Sequence, residues 1–217
     1  MLCMCCESAD DKGSSVMVDQ VPAVSEAVPV FKDKPKVEST AWSIQIPIKK
    51  GVAPSLGLEL DGIDPKGWTI ISIGDGLIQE FNVAHPDLAL RAFDRIEAVN
   101  GVSDDLSKAM AEAFENPKLG MASLRICRPK VIDVLIAKKG EPLGVKLNFT
   151  ASSAGILLQE VYPEGMIAKW NEKNPLTPIK PCDRLGAVNG AVIKGEEMVT
   201  MLKKEPELTW TIYRYNP

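Results

Sequence analysis

The pattern of apolar and polar residues changes character at Trp42. Before it, residues 7–40 mix Ser, Pro, Asp and Lys with short valine-containing runs that show no sustained period, which is typical of a flexible segment. From Trp42 onward, stretches such as "WSIQIPIK" alternate between apolar and polar residues, as half-buried strands do, and this texture continues almost to the end. We therefore expect residues 1–40 to form a flexible tether ahead of folded structure.

Several strands and two helices are predicted in the next part of the chain. "LGLEL", "WTIISI" and "ASLRICR" are apolar runs of strand length, whereas "GLIQEFN" is a short helical stretch that the following "HP" closes. "RIEAVNG" is a strand that ends at Asn100-Gly101, where both residue types tolerate the positive φ of a tight turn. A second helix follows, with Ser103, Asp104 and Asp105 as its cap and first-turn residues. Its apolar residues recur at helical spacing, namely Leu106, Met110, Ala113 and Phe114.

This order of elements occurs twice. "LRAFDRIEAVNG" (residues 90–101) returns as "IKPCDRLGAVNG" (residues 179–190), "SLGLEL" returns as "PLGVKL", and "GLIQEFNVAHP" returns as "GMIAKWNEKNP". A unit of about ninety residues with small differences in loop length is longer than a solenoid repeat and indicates a duplicated domain. We predict one domain over residues 41–129 and a second over residues 130–217.

The repeated motifs resemble those of PDZ domains. In both halves a glycine loop is followed by Gly-x-Ile-x-x-aromatic-Asn, by Asp-Arg-Ile/Leu-x-x-Val-Asn-Gly, by an amphipathic helix and by a final strand. The loops are Ser55-Leu56-Gly57-Leu58 and Pro142-Leu143-Gly144-Val145. The resemblance leaves the tether unexplained. It implies an α+β fold that is mainly β, with two partly open antiparallel barrels or sandwiches of five to six strands, each capped by two helices.

PDZ domains bind the C-terminal tail of another protein as an added strand, so the resemblance implies an adaptor or scaffold that holds partner tails. Backbone N–H groups must converge on the terminal carboxylate, and glycine lets the backbone approach closely because it has no Cβ. The carboxylate-binding residues would be Leu56, Gly57 and Leu58 in the first domain and Leu143, Gly144 and Val145 in the second.

The side chains of the ligand would lie in a groove between the second strand and the second helix of each domain. The family pattern assigns to this groove Leu60, Ser107, Ala111 and Phe114 in the first domain, and Leu147, Gly195, Val199 and Leu202 in the second. The commonest PDZ subclass has a histidine at the first helix position, where it bonds a Ser or Thr hydroxyl of the ligand. Ser107 and Gly195 take that place here, so we expect apolar or unusual ligand ends.

Composition narrows the classes of function. The 217 residues carry a formal net charge of −4 and no basic stripe, which does not favour a nucleic-acid-binding protein. No nucleophile, acid and base are spaced for catalysis, and the single histidine, His85, lies in the "NVAHP" turn without a suitable partner. We therefore expect neither an enzyme nor a metal site or cofactor.

The N-terminus "MLCMCCESAD" lacks the long apolar core of a secretion signal, so we expect a cytoplasmic protein. Two interpretations of Cys3, Cys5 and Cys6 stand side by side. They are candidates for S-acylation, which would place the protein at the periphery of a membrane, or they are an unmodified cluster of exposed thiols.

The adaptor function has two alternatives at this point. One is a structural or oligomerisation module in which one or both grooves are occluded by the tether, by the C-terminal residues or by a neighbouring copy. The other is an accessory subunit of a membrane-associated or protease complex, which would have the same sequence features. Binding of free-acid peptides would distinguish the adaptor from the occluded module.

Overall fold

The computed structural model describes residues 14–17, 40–48, 55–115, 120–138 and 140–215. The chain divides into two compact units, and each has its own core. The first domain comprises residues 39–129 together with Tyr215. The second domain comprises residues 130–214 together with a strand from the N-terminal segment, β1 (Ser14–Met17).

The first domain is a five-stranded antiparallel sheet with two helices. Its elements are β2 (Thr40–Pro47), β3 (Leu58–Asp61), β4 (Trp68–Ile73), α1 (Leu77–Ala84), β5 (Arg95–Val99), α2 (Leu106–Met110) and β6 (Met121–Arg128). A 3₁₀ turn (Pro86–Leu88) follows α1, and a π-helical turn (Ala111–Glu115) continues α2. The strand order is β2-β6-β5-β4-β3, so β3 forms an edge of the sheet among the described residues.

The second domain repeats this arrangement with one strand more. Its elements are β7 (Lys130–Ala137), β8 (Val145–Phe149), β9 (Ile156–Val161), α3 (Met166–Lys173), β10 (Arg184–Val188), α4 (Gly195–Lys204) and β11 (Glu207–Arg214). The strand order is β1-β8-β9-β10-β11-β7. The predicted fold class is confirmed, because each domain is an antiparallel sheet of five or six strands with two helices, in the predicted order.

One face of each sheet is buried, as the alternation of apolar residues predicts. In β2, Ile44 and Ile46 are buried while Gln45 between them is exposed. The apolar cluster of the first domain joins its sheet to both of its helices, and that of the second domain does the same around the fully buried Trp210. Each domain therefore has a core of its own, consistent with duplication of a folding unit.

The repeated Asn-Gly pairs form the predicted tight turns. Asn100 and Asn189 have φ of +50° and +52°, and a glycine with positive φ follows each of them. The side-chain oxygen of Asn100 accepts the N–H of Ser123 at 2.8 Å, and that of Asn189 accepts the N–H of Thr209 at 2.7 Å. Both turns are thus tied to the last strand of their own domain, which is a structural role.

Asp94 and Asp183, from the repeated Asp-Arg pair, also anchor the last strand. Arg128 donates to the two carboxylate oxygens of Asp94 at 2.9 and 2.7 Å, and Arg214 donates to those of Asp183 at 2.7 and 2.5 Å. Each carboxylate also accepts the N–H of the residue three positions earlier, at 3.0 and 2.8 Å respectively. Bidentate pairs of this kind fix the geometry of the loop before β5 and β10.

Arg95 is held in a buried ion pair of the first domain. It donates to Asp64 at 2.9 Å and to Glu97 at 2.7 Å, and the side chains of Arg95 and Asp64 are only 4% and 3% exposed. Burial acts to lower the pKa of Arg95, but the two carboxylates outweigh it and raise that pKa above its ordinary value. The guanidinium therefore stays charged inside the domain and depends on its partners.

Candidate functional site

Both glycine loops are fastened in the same way. Three loop carbonyl oxygens in each domain accept backbone hydrogen bonds, one from the residue that follows β4 or β9 and two from the first residues of α1 or α3. In the first domain the bonds are Leu77 to Ser55 at 3.0 Å, Ile78 to Leu56 at 3.2 Å and Gly74 to Gly57 at 2.8 Å. In the second they are Met166 to Pro142 at 3.0 Å, Ile167 to Leu143 at 3.1 Å and Tyr162 to Gly144 at 2.8 Å.

The N–H groups of these loops are much less engaged than the carbonyls. Gly57 donates to the hydroxyl of Ser55 at 3.2 Å. Among the described residues, the N–H groups of Leu56, Leu143 and Gly144 donate to no acceptor. A loop that is fixed through its carbonyls while its N–H groups remain available has the donors that an anionic group requires.

Gly57 and Gly144 cannot be replaced without strain. Their φ values are +70° and +69°, in the left-handed region that favours glycine. A Cβ on Gly57 would lie 2.6 Å from the carbonyl oxygen of Gly74, and a Cβ on Gly144 would lie 2.3 Å from the Cα of Gly165. The loop and the start of the helix can approach this closely only because glycines meet there.

In the first domain the loop leads directly into the edge strand β3. Leu56, Leu58 and Leu60 are half-buried and pack against the apolar cluster that contains Phe114. Ser107 is exposed on α2, and Ala111 is half-buried at the start of the π-helical turn. A π-helical turn is wider than an α-helical one, so the spacing of the predicted helix positions differs from that of the regular helix expected from sequence.

In the second domain the corresponding residues are buried. Leu143, Val145 and Leu147 belong to one cluster with Val199 and Leu202 of α4, and none of the five is more than 6% exposed. The sequence places these side chains on the groove side of β8 and α4, and the structure brings them together.

Gly195 lies against a ring that the sequence-based assignment missed. A Cβ built on Gly195 would lie 2.5 Å from Cδ2 of Phe149, so the ring occupies the space beside this helix position. Alternation along "VKLNF" puts Phe149 on the same side of β8 as Val145 and Leu147, and this was the available signal. The role of Gly195 in contacting a ligand stays a prediction.

A second feature missed from sequence is β1, which lies within the segment predicted to be a flexible tether. Its four residues pair antiparallel with β8, from Ser14 opposite Phe149 to Met17 opposite Lys146. Four residues are too few to show a hydrophobic period, and the strand forms by pairing with residues far along the chain. The run "SSVMV", which contains two valines, was the only local hint.

Three of the predicted residues, Cys3, Cys5 and Cys6, lie outside the described part of the chain. Within the described ranges, no group of His, Cys, Asp and Glu side chains is placed to hold a metal ion. No helix in those ranges is long and apolar enough to cross a membrane.

A scan against family models and a search of curated proteins found no match. Among solved structures, the chain is similar to INAD PDZ45 in complex with NG2 peptide, with 17% identity, 88% of this chain and 96% of that chain covered, and a TM-score of 0.32. It is also similar to INAD PDZ45 in complex with NORPA CC-PBM, with 17% identity, 83% and 94% coverage, and a TM-score of 0.33. The repeated motifs and the order of strands and helices in each domain resemble those of a PDZ domain.

The strand residues of the two grooves differ in exposure. Leu58 and Leu60 on β3 are half-buried, whereas the equivalent residues on β8, Val145 and Leu147, are 2% and 0% exposed. The strand side of the first groove is therefore partly accessible to solvent, and that of the second is covered.

Replacing Gly195 by alanine tests the contact with Phe149. We expect the added Cβ to force the start of α4 away from β8 and to lower the free energy of unfolding of the second domain by about 1–3 kcal/mol, since overpacking costs this much. Native-state hydrogen exchange of the α4 amides measures the change. The double variant Gly195→Ala with Phe149→Leu should lose less free energy of unfolding than the sum of the losses in the two single variants. A Gly195→Ala variant as stable as the wild type would show that the contact is unimportant.

Proposed function

We propose that this chain is a non-enzymatic adaptor that binds the C-terminal tails of partner proteins by strand addition. The first domain would accept a tail beside β3 and the second would accept one beside β8. The observation that carries the proposal is the first groove, where an edge strand, half-exposed leucines and a glycine loop with an available N–H group lie next to one another.

The direction of β3 determines how a tail would lie. One side of an edge strand has no neighbour, so its N–H and C=O groups are available to pair with an added strand. A tail that runs antiparallel to β3 has its C-terminus beside the first residues of the strand. The Leu56–Leu58 loop lies at that end, and a carboxylate there would meet the N–H of Leu56.

The half-exposed leucines supply the apolar part of the interaction. Covering an apolar side chain of this size contributes about 1.5–3 kcal/mol when burial is complete, and less for side chains that are already half-buried. Two or three such contacts, together with strand pairing, support an affinity near micromolar, about −8 kcal/mol. The first groove would therefore bind tails that end in an apolar residue.

The first helix position supports a preference other than for Ser or Thr in the ligand. Ser107 is exposed on α2, and its short side chain replaces the histidine of the commonest PDZ subclass. In the second domain Gly195 has no side chain to offer, and the ring of Phe149 takes the adjacent space. Neither domain has, at that helix position, the histidine that selects a ligand hydroxyl in the commonest subclass.

An array of free-acid C-terminal peptides, probed with the full chain, tests this function. We expect signal for peptides that end in an apolar residue, without enrichment of Ser or Thr two residues earlier. Leu58→Arg should abolish most of the signal because it places a charge in the first groove. Val83→Arg is the matched control, since Val83 is 75% exposed near the end of α1 and its change should leave the signal intact. Absence of any signal with the wild-type chain would contradict the proposal.

A further inference from the structure

We infer that the chain regulates its second groove with a ligand of its own, residues 14–17, which a partner tail must displace. This inference rests on the proposed function of the groove and concerns how access to it is controlled. The internal ligand is β1, which pairs with β8 on the side that is an open edge in the first domain.

The direction of β1 is that of a bound tail. Pairing is antiparallel, with Ser14 opposite Phe149 at the far end of β8 and Met17 opposite Lys146 near its start. The C-terminal end of β1 therefore lies towards the glycine loop that contains Leu143 and Gly144. A partner tail could not pair with the same edge of β8 while β1 is in place.

The difference in exposure between the two domains agrees with this occupancy. β3 has no strand on its outer side among the described residues, and its leucines are half-exposed. β8 has β1 on that side, and its equivalent residues Val145 and Leu147 are buried. The same sequence motif thus gives an open groove in one domain and a filled one in the other.

The internal strand pairs with the edge of β8 but brings no terminal carboxylate to the N–H groups of the glycine loop. The chain continues through Val18 after β1, so β1 ends without a terminal carboxylate. Among the described residues, the N–H groups of Leu143 and Gly144 have no acceptor. A partner tail would form the strand pairing that β1 forms and would add the carboxylate contact, which gives it a means of displacing the internal strand.

The internal strand also has an advantage, which is its attachment to the same chain. A segment attached to the same chain competes at an effective concentration rather than at its bulk concentration, and effective concentrations of tethered segments reach the millimolar range. A free tail with a micromolar intrinsic dissociation constant must compete against this. We expect β1 to weaken the apparent affinity of the second groove by at least about tenfold.

The test uses the full chain with prolines in β1. Alternate residues of a strand donate to a given neighbour, so the double change Ser15→Pro with Val16→Pro removes a donor whichever of the two faces β8. The control carries the same two prolines at Ser25 and Glu26, in the N-terminal segment but outside β1. Both variants also carry Leu58→Arg, so that peptide binding reports on the second groove alone.

Two readouts separate this inference from the proposed function. Hydrogen exchange does not depend on any peptide, and we expect the β8 amides that face β1 to exchange at least about tenfold faster in the Ser15→Pro, Val16→Pro chain than in the control, with no change in β3. Titration with free-acid peptides should show at least about tenfold tighter binding to the same variant.

Each other outcome overturns the inference in a distinct way. Equal exchange of β8 in the two variants means that β1 does not occupy the groove. Faster exchange without tighter peptide binding means that β1 is a structural strand and not an inhibitor. If tails bind the first groove of the wild-type chain in that case, the proposed function stands. Protection of β8 that grows with protein concentration, with a dimer in solution, assigns the occupying strand to a second copy.

Discussion

Replacing Gly144 by alanine is expected to lower the free energy of unfolding of the second domain by about 3 kcal/mol or more. At φ +69° a non-glycine residue is strained, and the new Cβ would lie 2.3 Å from the Cα of Gly165. The position of a Cβ is fixed by its own backbone and the Cα of Gly165 is a backbone atom, so no side-chain rotation relieves the overlap. Native-state hydrogen exchange of the β10 and β11 amides measures the loss within this domain alone.

Gly190→Ala is the matched control for this effect. Gly190 has a similar φ of +76° in the same domain, but a Cβ there would meet no atom within 4 Å. Alanine at this position should lower the free energy of unfolding by about 1 kcal/mol, the cost of placing a non-glycine residue at positive φ. Equal losses for the two variants would mean that the close approach of the loop to Gly165 does not constrain the second domain.

Replacing Asp64 by asparagine is expected to cost the first domain about 3–5 kcal/mol, because it removes one partner of a buried ion pair. The change keeps the size of the side chain and removes its charge. Arg95, whose side chain is 4% exposed, would keep Glu97 as its carboxylate partner at 2.7 Å. Hydrogen exchange of the β5 and β6 amides reports the loss in the first domain.

An exposed ion pair provides the comparison. Nζ of Lys169 lies 2.5 Å from Oε2 of Glu141, but the two side chains are 55% and 45% exposed, so solvent screens their attraction. Glu141→Gln should change the stability of the second domain by no more than about 0.5 kcal/mol. If Asp64→Asn cost as little as Glu141→Gln, burial would not be the source of the effect.

The fold of each domain could be predicted because local signals agree with one another. Alternation identified the strands, the Asn-Gly turns ended β5 and β10 as expected, and the Asp-Arg pairs proved to be local anchors, as their residue types indicated. Duplication supports the assignment of each strand and helix, since a motif that recurs about ninety residues later predicts the same element in both domains.

Occlusion of a groove by the tether was one alternative from the sequence, but the residues that pair and the groove they cover could not be predicted, for a physical reason. β1 is four residues long and gains its structure from a partner strand more than a hundred residues away in sequence, so its own residues carry little of the information. The contact between Gly195 and Phe149 is similar, because it depends on how closely α4 approaches β8. The loop glycines, by contrast, were identifiable from sequence because the same Leu-Gly motif recurs at the corresponding place in both halves.

The central claim is that the Leu56–Leu58 loop captures the carboxylate of a partner tail. The most direct measurement is a titration of the full chain with two peptides of one sequence that ends in an apolar residue, one a free acid and the other a C-terminal amide. We expect the free acid to perturb the amide signals of Leu56, Gly57 and β3. Amidation should weaken binding about tenfold to a hundredfold, as loss of a charge-assisted hydrogen bond does. Equal affinity of the two peptides, or perturbation confined to residues outside this loop and β3, would contradict the claim.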